Sequence, residues 1–406
     1  MSRTMGIIVA LAVLVAAIIV GVVALHSGPE PDSDITANTP APMPPGGAED
    51  AMDAEHIEQA QALLSNGLKW LLEQQTDGGW GEGLARPAYT AMAIKALVQH
   101  PDFDSQSPPV RDALATLMEY RHDDGSFQAQ GKANYTTSLA VMALAAVDDP
   151  QYAGATQDAV AYLKGIQIRP GDETPDGQQI TEDHPFRGGT SYGSHGRPDL
   201  SNLSMTAAAM EAADVPDDDE FWQEATIFLQ RTQNRSESND LNWVRDAPDD
   251  GGFIYAPAHR ADQLATPESK AGDRGRRSYG SMTYAGFMSM LYAGVGQDDP
   301  RVRAAYDWIR RYWRLDSNPN MPHEQSHQGL YYYYHTFAKA LRAWGEPVIT
   351  DTDGVEHNWR HELVGALAER VNDDGSWVNE KAERWLEGDP LLATLYSVLA
   401  LEEVLK

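Results

Sequence analysis

The chain has no cysteine at all, which excludes disulfides, thiolate nucleophiles, cysteine metal ligands and lipoprotein anchoring. It is also poor in positive charge: 31 Lys and Arg stand against 60 Asp and Glu, a net charge of −29. An acidic surface of that size repels the phosphates of nucleic acids, so no nucleic-acid partner is expected. Only one long apolar run occurs, from Gly6 to Leu25, with Arg3 before it. As a helix it reaches roughly 30 Å, enough to cross a bilayer core. Residues 1–26 are therefore expected to be a transmembrane signal anchor, with Arg3 inside and the rest of the chain exoplasmic, periplasmic or extracellular. A cleaved signal peptide is the competing reading, but Ala24-Leu25-His26 makes a poor cleavage site. Residues 27–53 are rich in Pro, Ala, Gly and acidic groups and read as a flexible tether.

What recurs is a short phrase: Asp-Gly, then Gly or Ser, then an aromatic. It stands at Asp77-Gly78-Gly79-Trp80, Asp124-Gly125-Ser126-Phe127, Asp250-Gly251-Gly252-Phe253 and Asp374-Gly375-Ser376-Trp377. The two long gaps each have room for one more unit, which makes six. Each unit reads as an amphipathic helix, a Gly-rich turn and a second helix that is apolar on every side. In the first, Ile57, Ala60, Leu63, Leu64, Leu68, Leu71 and Leu72 form one stripe at spacings of three and four, and Ala91 to Val98 follows as a helix apolar on nearly every side. The second helices are expected to start at Tyr89-Thr90, Tyr135-Thr136, Leu203-Ser204, Met282-Thr283-Tyr284, Tyr334-His335-Thr336 and Leu392-Ala393-Thr394, their hydroxyls capping the first turn. Twelve helices with one fully buried set predict an all-α fold over residues 54–406: a closed double ring of six hairpins, an α6/α6 toroid. An open superhelix would need polar capping repeats, and none is present.

Gln74-Gln75-Thr76-Asp77-Gly78-Gly79-Trp80 resembles the Gln-x-x-Asp-Gly-x-Trp repeat of squalene and other triterpene cyclases. The resemblance spans the domain from about Ala54 onward and implies the toroid that those enzymes share with protein prenyltransferase β subunits. Only the first unit keeps the Gln in register; Arg121, Ala247 and Val371 stand there in the others. The cyclases' Asp-x-Asp-Asp acid motif is missing. Its nearest counterpart is Asp199-Leu200-Ser201-Asn202, where one acid survives; capping a helix is the competing role for this segment. Tyr334-His335-Thr336 is similar to the zinc-binding Tyr-His-Thr of the prenyltransferases. The matching Asp-x-Cys-Tyr position reads Ser281-Met282-Thr283-Tyr284, so no zinc site of that type is expected. No metal and no cofactor are called for.

In a toroid the inner helices run parallel, and their N-termini converge on a mouth suited to an anion. Arg86, Arg187, Arg197, Arg274, Arg276, Arg277 and Arg384 lie in the segments leading there. The expectation is thus a membrane-anchored, terpene cyclase- or prenyltransferase-like protein binding an isoprenoid or lipidic ligand. Asp199, His335 and Tyr284 would transfer protons, Arg197, Arg276 and Arg277 would hold an anionic head, and Tyr334 would line the cavity. Two rival readings stand beside it. One is a non-catalytic scaffold or receptor for a peptide or glycan. The other is a polysaccharide-processing toroid drawing carboxylates from Asp249, Asp250, Glu387 or Asp389.

Overall fold

The structure is a computed structural model that describes residues 52–193, 196–257 and 276–406. The expected span Gly6–Leu25 and most of its tether lie outside the described residues. Among the described residues, no helix is long and apolar enough to cross a membrane.

Twelve α-helices account for about half of these residues: α1 Ala54–Glu73, α2 Arg86–Gln99, α3 Pro108–Met118, α4 Ala133–Val147, α5 Ala153–Gly165, α6 Leu200–Ala212, α7 Glu220–Thr232, α8 Gly280–Tyr292, α9 Pro300–Arg311, α10 Leu330–Trp344, α11 Trp359–Ala368 and α12 Pro390–Leu405. A short antiparallel pair, β1 Val348–Thr350 and β2 Glu356–Asn358, joins α10 to α11. The even-numbered helices pack in sequence, α2 on α4 on α6 on α8 on α10 on α12, and α12 returns to α2. That closes an inner ring. The odd-numbered helices lie outside it, and α11 meets α1 across the seam.

The patterning explains the layers. Every described residue of α8 from Gly280 to Met290 is buried, whereas α1 buries a stripe of Ala60, Leu63, Leu64, Gly67, Leu68 and Leu71. A helix covered on all sides must be apolar all round; one facing water on one side need not be. Inner helices begin two to four residues before the expected positions. Pro87 and Pro390 sit in the first turns of α2 and α12, and Asp199 caps α6, each favouring an earlier start.

The hairpins are also out of phase with the expected units. The outer partner of α2 is α3, that of α4 is α5, and that of α8 is α9; the first helix α1 packs chiefly on the last, α12. The two ends of the folded chain therefore make one pair.

The repeated phrase staples these pairs. Trp80, Phe127 and Trp377 are fully buried, and their backbone N–H groups donate to Thr90, Thr137 and Thr394 at 3.1, 2.9 and 2.9 Å. Phe253 does the same to Thr283 at 3.1 Å. The threonines thus hold the preceding turn rather than cap their own helices, and in the second unit Thr137 does so in place of Thr136. The indoles of Trp80 and Trp377 donate to Leu71 O and Leu367 O at 2.6 and 2.9 Å. The phrase's first glycine faces a backbone carbonyl of the next outer helix. A Cβ on Gly125 would lie 2.4 Å from Asp158 O, and one on Gly251 2.4 Å from Ala304 O. Gly188 plays that part in the third unit, 1.9 Å from Glu224 O, so the pattern continues where the phrase is not legible. The glutamine role also persists out of register. Gln75, Gln167 and Gln233 donate to Pro109 O, Phe221 O and Arg301 O at the starts of the next outer helices.

Candidate functional site at the mouth of the inner ring

Hydrogen bonds join helix starts to helix starts and helix ends to helix ends, so the inner helices run parallel. Tyr135 Oη meets Tyr396 Oη at 2.9 Å and Ser201 Oγ meets Tyr332 Oη at 3.1 Å near the N-terminal end. Lys95 and Arg342 meet Glu403 at the other.

The converging N-termini are largely occupied by the protein's own side chains. Asp199 Oδ1 accepts from Asn202 N at 2.8 Å on α6, and Asp389 Oδ1 from Leu391 N at 2.9 Å on α12. The start of α10 follows Gly329, which has no side chain to offer. Glu387 caps it from a distance, accepting from Tyr332 N at 2.8 Å and from Asn379 Nδ2 at 2.7 Å. Asn318 Oδ1 accepts from Ser281 N at 3.0 Å on α8.

Asp199 is 4 % exposed, and burial pushes its carboxyl up to about 6 although Asn202, Tyr255 and the charge of Arg197 oppose the shift. Burial likewise pushes Glu387 up to about 7. Around Asp199 stand Tyr192, Tyr255, Tyr279 and Tyr332, all made weaker acids by burial. Tyr135 is pushed up to about 12 for the same reason.

Along α10, Tyr332, His335 and Lys339 occupy one face at helical spacing. His335 stacks on Tyr396 with centroids 5.7 Å apart, and burial together with the charges of Lys339 and Lys95 holds it neutral. Lys339 Nζ lies 3.9 Å from Met142 Sδ on the opposite inner helix α4, and burial pulls it down to about 7. Beneath it Glu403 gathers Lys95, Arg342 and Lys406. The interior of the inner ring therefore changes character with depth: phenols and carboxyls, then imidazole, then charge.

Tyr284 and Tyr334 lie elsewhere. Tyr284 packs against Tyr333 and Phe337 at 5.5 and 5.1 Å, and Phe337 in turn contacts Trp313 and Trp359, which places Tyr284 between the rings. Tyr334 Oη donates to Leu315 O beneath Arg370. The structure brings Asp199 and Arg197 together and sets His335 further along the inner ring from its N-terminal end. Arg197 also donates to Pro257 O at 3.2 Å. Arg276 reaches Asp246 O at 3.5 Å, and Arg277 follows it, half-buried, ahead of α8. Arg86 donates to Thr76 O, Asp77 O and Gly81 O, locking the Trp80 turn, and Arg187 pairs with Glu224. Arg274 lies outside the described residues. Asp250 belongs to a staple, accepting from Ser278 and Trp308, and Asp249 accepts from Ser236.

The sequence reading missed Tyr135, Tyr192, Tyr255, Tyr396 and Lys339. Lys339 carried a usable signal, one of two charges, with Arg342, in a mostly apolar and aromatic helix; the tyrosines did not stand out from the other packing aromatics. Four exposed apolar side chains lie in segments that lead into inner helices: Leu84 (60 % exposed) ahead of α2, Tyr192 (40 %) ahead of α6, and Trp385 (37 %) and Leu386 (54 %) ahead of α12. Trp385 and Leu386 both have left-handed backbone, φ 59° and 67°, which costs bulky residues about 1–3 kcal/mol each.

This is the α/α toroid of the terpene cyclase-like fold. A variant of the type II terpene cyclase MstE from Scytonema, in complex with merosterolic acid A as product, matches at TM-score 0.52 and 14% identity, over 87% of this chain and 99% of that one. A variant of the same cyclase with geranylgeranyl dihydroxybenzoate as substrate matches at TM-score 0.49 and 15% identity, covering 86% and 98%. An alpha-1,6-mannanase of Salegentibacter, in complex with alpha-1,6-mannotriose, matches at TM-score 0.49 and 10% identity, also covering 86% and 98%. No family model matches the sequence, and no curated protein matches it.

Proposed function

We propose that the toroid binds an isoprenoid or other lipidic ligand at the mouth of the inner ring and exchanges a proton with it through Asp199. The observation that carries this reading is the Asp199 carboxyl, buried at the mouth and pushed up to about 6. Such a group holds a proton in mild acid and gives it up near neutrality, as a general acid or base must. It is too weak an acid for protonating an alkene, so the reacting group on the ligand is an oxygen function. Tyr255 and Tyr192 supply hydroxyls beside it, and Arg197 supplies the nearest positive charge. Leu84, Tyr192, Trp385 and Leu386 offer apolar surface at the entrance. Lys339 and the Glu403 cluster limit the depth, so the apolar part of the ligand lies above the level of His335. The domain would work on the exoplasmic side of a membrane, held by the span Gly6–Leu25.

A second reading, a polysaccharide-processing site, is favoured by Glu387, a second carboxyl at the same mouth pushed up to about 7. Two such groups are the minimum for glycoside hydrolysis. The test is native mass spectrometry of the detergent-purified full chain, alone and with added oligosaccharide. A co-purified lipid, lost on Trp385→Ala, supports the first reading. An oligosaccharide adduct without lipid replaces it with the second. Neither adduct, with Asp199→Asn leaving every ligand assay unchanged, leaves a scaffold.

A further inference from the structure

The seam that closes the double ring carries a cluster unconnected with the mouth. Asp53 caps α1, His56 lies in its first turn, and His361 lies in the first turn of α11, 308 residues further along the chain than Asp53. Asp53 Oδ1 is 2.7 Å from His56 Nδ1, and the Asp53 N–H points at His361 Nε2 from 3.4 Å. The two imidazoles stack almost parallel, 5° apart with centroids at 3.9 Å. One ligand atom from each of the three residues lies within 4.8 Å of the others.

We propose that Asp53, His56 and His361 form a binding site for a divalent transition-metal ion of the zinc type, which clasps α1 to α11. Two imidazole nitrogens and one carboxylate oxygen are borderline donors, suited to Zn²⁺, Co²⁺ or Ni²⁺ rather than to Mg²⁺ or Ca²⁺, which prefer all-oxygen shells. Zinc–ligand bonds of about 2.0–2.2 Å put tetrahedral ligand atoms roughly 3.3 Å apart. An ion lies in the plane of each imidazole it binds, so the two rings leave their parallel stack and tilt toward a common point when it enters. The Asp53 N–H marks a lone pair on His361 Nε2, which is the form a metal requires. To ligate, His56 Nδ1 releases the proton it donates to the Asp53 carboxylate, and the neutral ring carries its proton on Nε2. The site is half-exposed, which leaves the fourth position to water.

The placement gives the ion a consequence. Further along the seam the closure rests on protein alone: Trp70 Nε1 donates to Asp374 Oδ2 at 3.1 Å, and Trp377 presses on Gly67. The cluster holds the opposite, N-terminal end of α1. Another carboxylate–histidine group makes a useful control. His357 spends Nδ1 on Glu362 at 2.6 Å and Nε2 on Asp351 at 3.2 Å, on opposite edges of the ring, so it cannot gather both acids around one ion.

The test titrates the full chain, stripped with chelator, with Zn²⁺ and Co²⁺, following calorimetry, the visible absorption of tetrahedral Co²⁺ and thermal unfolding. One equivalent should bind. At 100 times its Kd the ion should raise the folded-to-unfolded ratio about 100-fold, seen as a higher Tm. His56→Ala and His361→Ala should abolish both the cobalt spectrum and the Tm rise, whereas His357→Ala should keep both. Should His361→Ala unfold, His361→Tyr retains an aromatic ring at the seam and must still lose the metal response. Absence of saturable binding to the wild type overturns the proposal, as does binding that survives both His56→Ala and His361→Ala.

Discussion

Replacing Asp199 by Asn should make the protein more stable at neutral pH, and the size of the gain can be worked from its environment. The carboxyl moves from its ordinary 3.8 in the unfolded chain to about 6 in the folded one. The folded state therefore holds the proton more tightly, and folding takes up protons between those values. Stability falls as pH rises through that window and stays reduced above it. Such a displacement corresponds to about 3 kcal/mol when the group is ionised. Asn keeps the shape and one acceptor for Asn202 N without the buried charge, giving up part of the bond from Asn202 Nδ2. A net gain of about 1–2 kcal/mol at pH 8 is expected, shrinking to nothing or reversing below pH 4. Denaturant unfolding of wild type and Asp199→Asn at a series of pH values measures it. A variant that is destabilised equally at pH 8 and pH 4 refutes the reasoning, because the carboxylate would then be a well-paired cap rather than a strained acid. A gain in stability joined to a loss of ligand turnover is the pattern of a functional group held against its preference.

Three further outcomes follow from the packing. Thr394→Val keeps the shape but orphans the Trp377 N–H, so it should cost about 1–3 kcal/mol in chemical denaturation, whereas Thr394→Ser should cost less. Gly188→Ala places a methyl against Glu224 O in a left-handed backbone with φ 81°; the Tm should fall more than for Gly154→Ala, which meets nothing within 4 Å. Lys339→Met removes a buried ammonium whose proton is lost near 7. The wild-type cost is greatest below pH 7 and vanishes above the unfolded value of 10.5, so the variant should be about 1–4 kcal/mol more stable at pH 6 and no more stable at pH 11.

Much of the architecture was legible because it is written locally and repeatedly. Stripes at spacings of three and four separate outer helices from inner ones, and the Asp-Gly-aromatic phrase counts the units. The phase of the hairpins was not legible: α1 is adjacent to α2 in sequence but finds its apolar partner in α12. The mouth was half legible. Asp199 stood out by its place before an inner helix, and Arg197 by its neighbourhood. Tyr334 is only two residues from Tyr332, yet two positions on a helix decide between the inside of the ring and the packing layer.

The sequence by itself determined the acidic surface, the exclusion of thiol chemistry, the helical repeat and the closed set of apolar helices, all of which depend on residue type and spacing. Only the tertiary structure decided the rest. It filled the helix N-termini with Asp199, Glu387 and Asp389, graded the inside of the ring from phenol to charge, and brought Asp53 and His56 to His361. Those properties depend on desolvation and on meetings across the ring, and closure alone creates both.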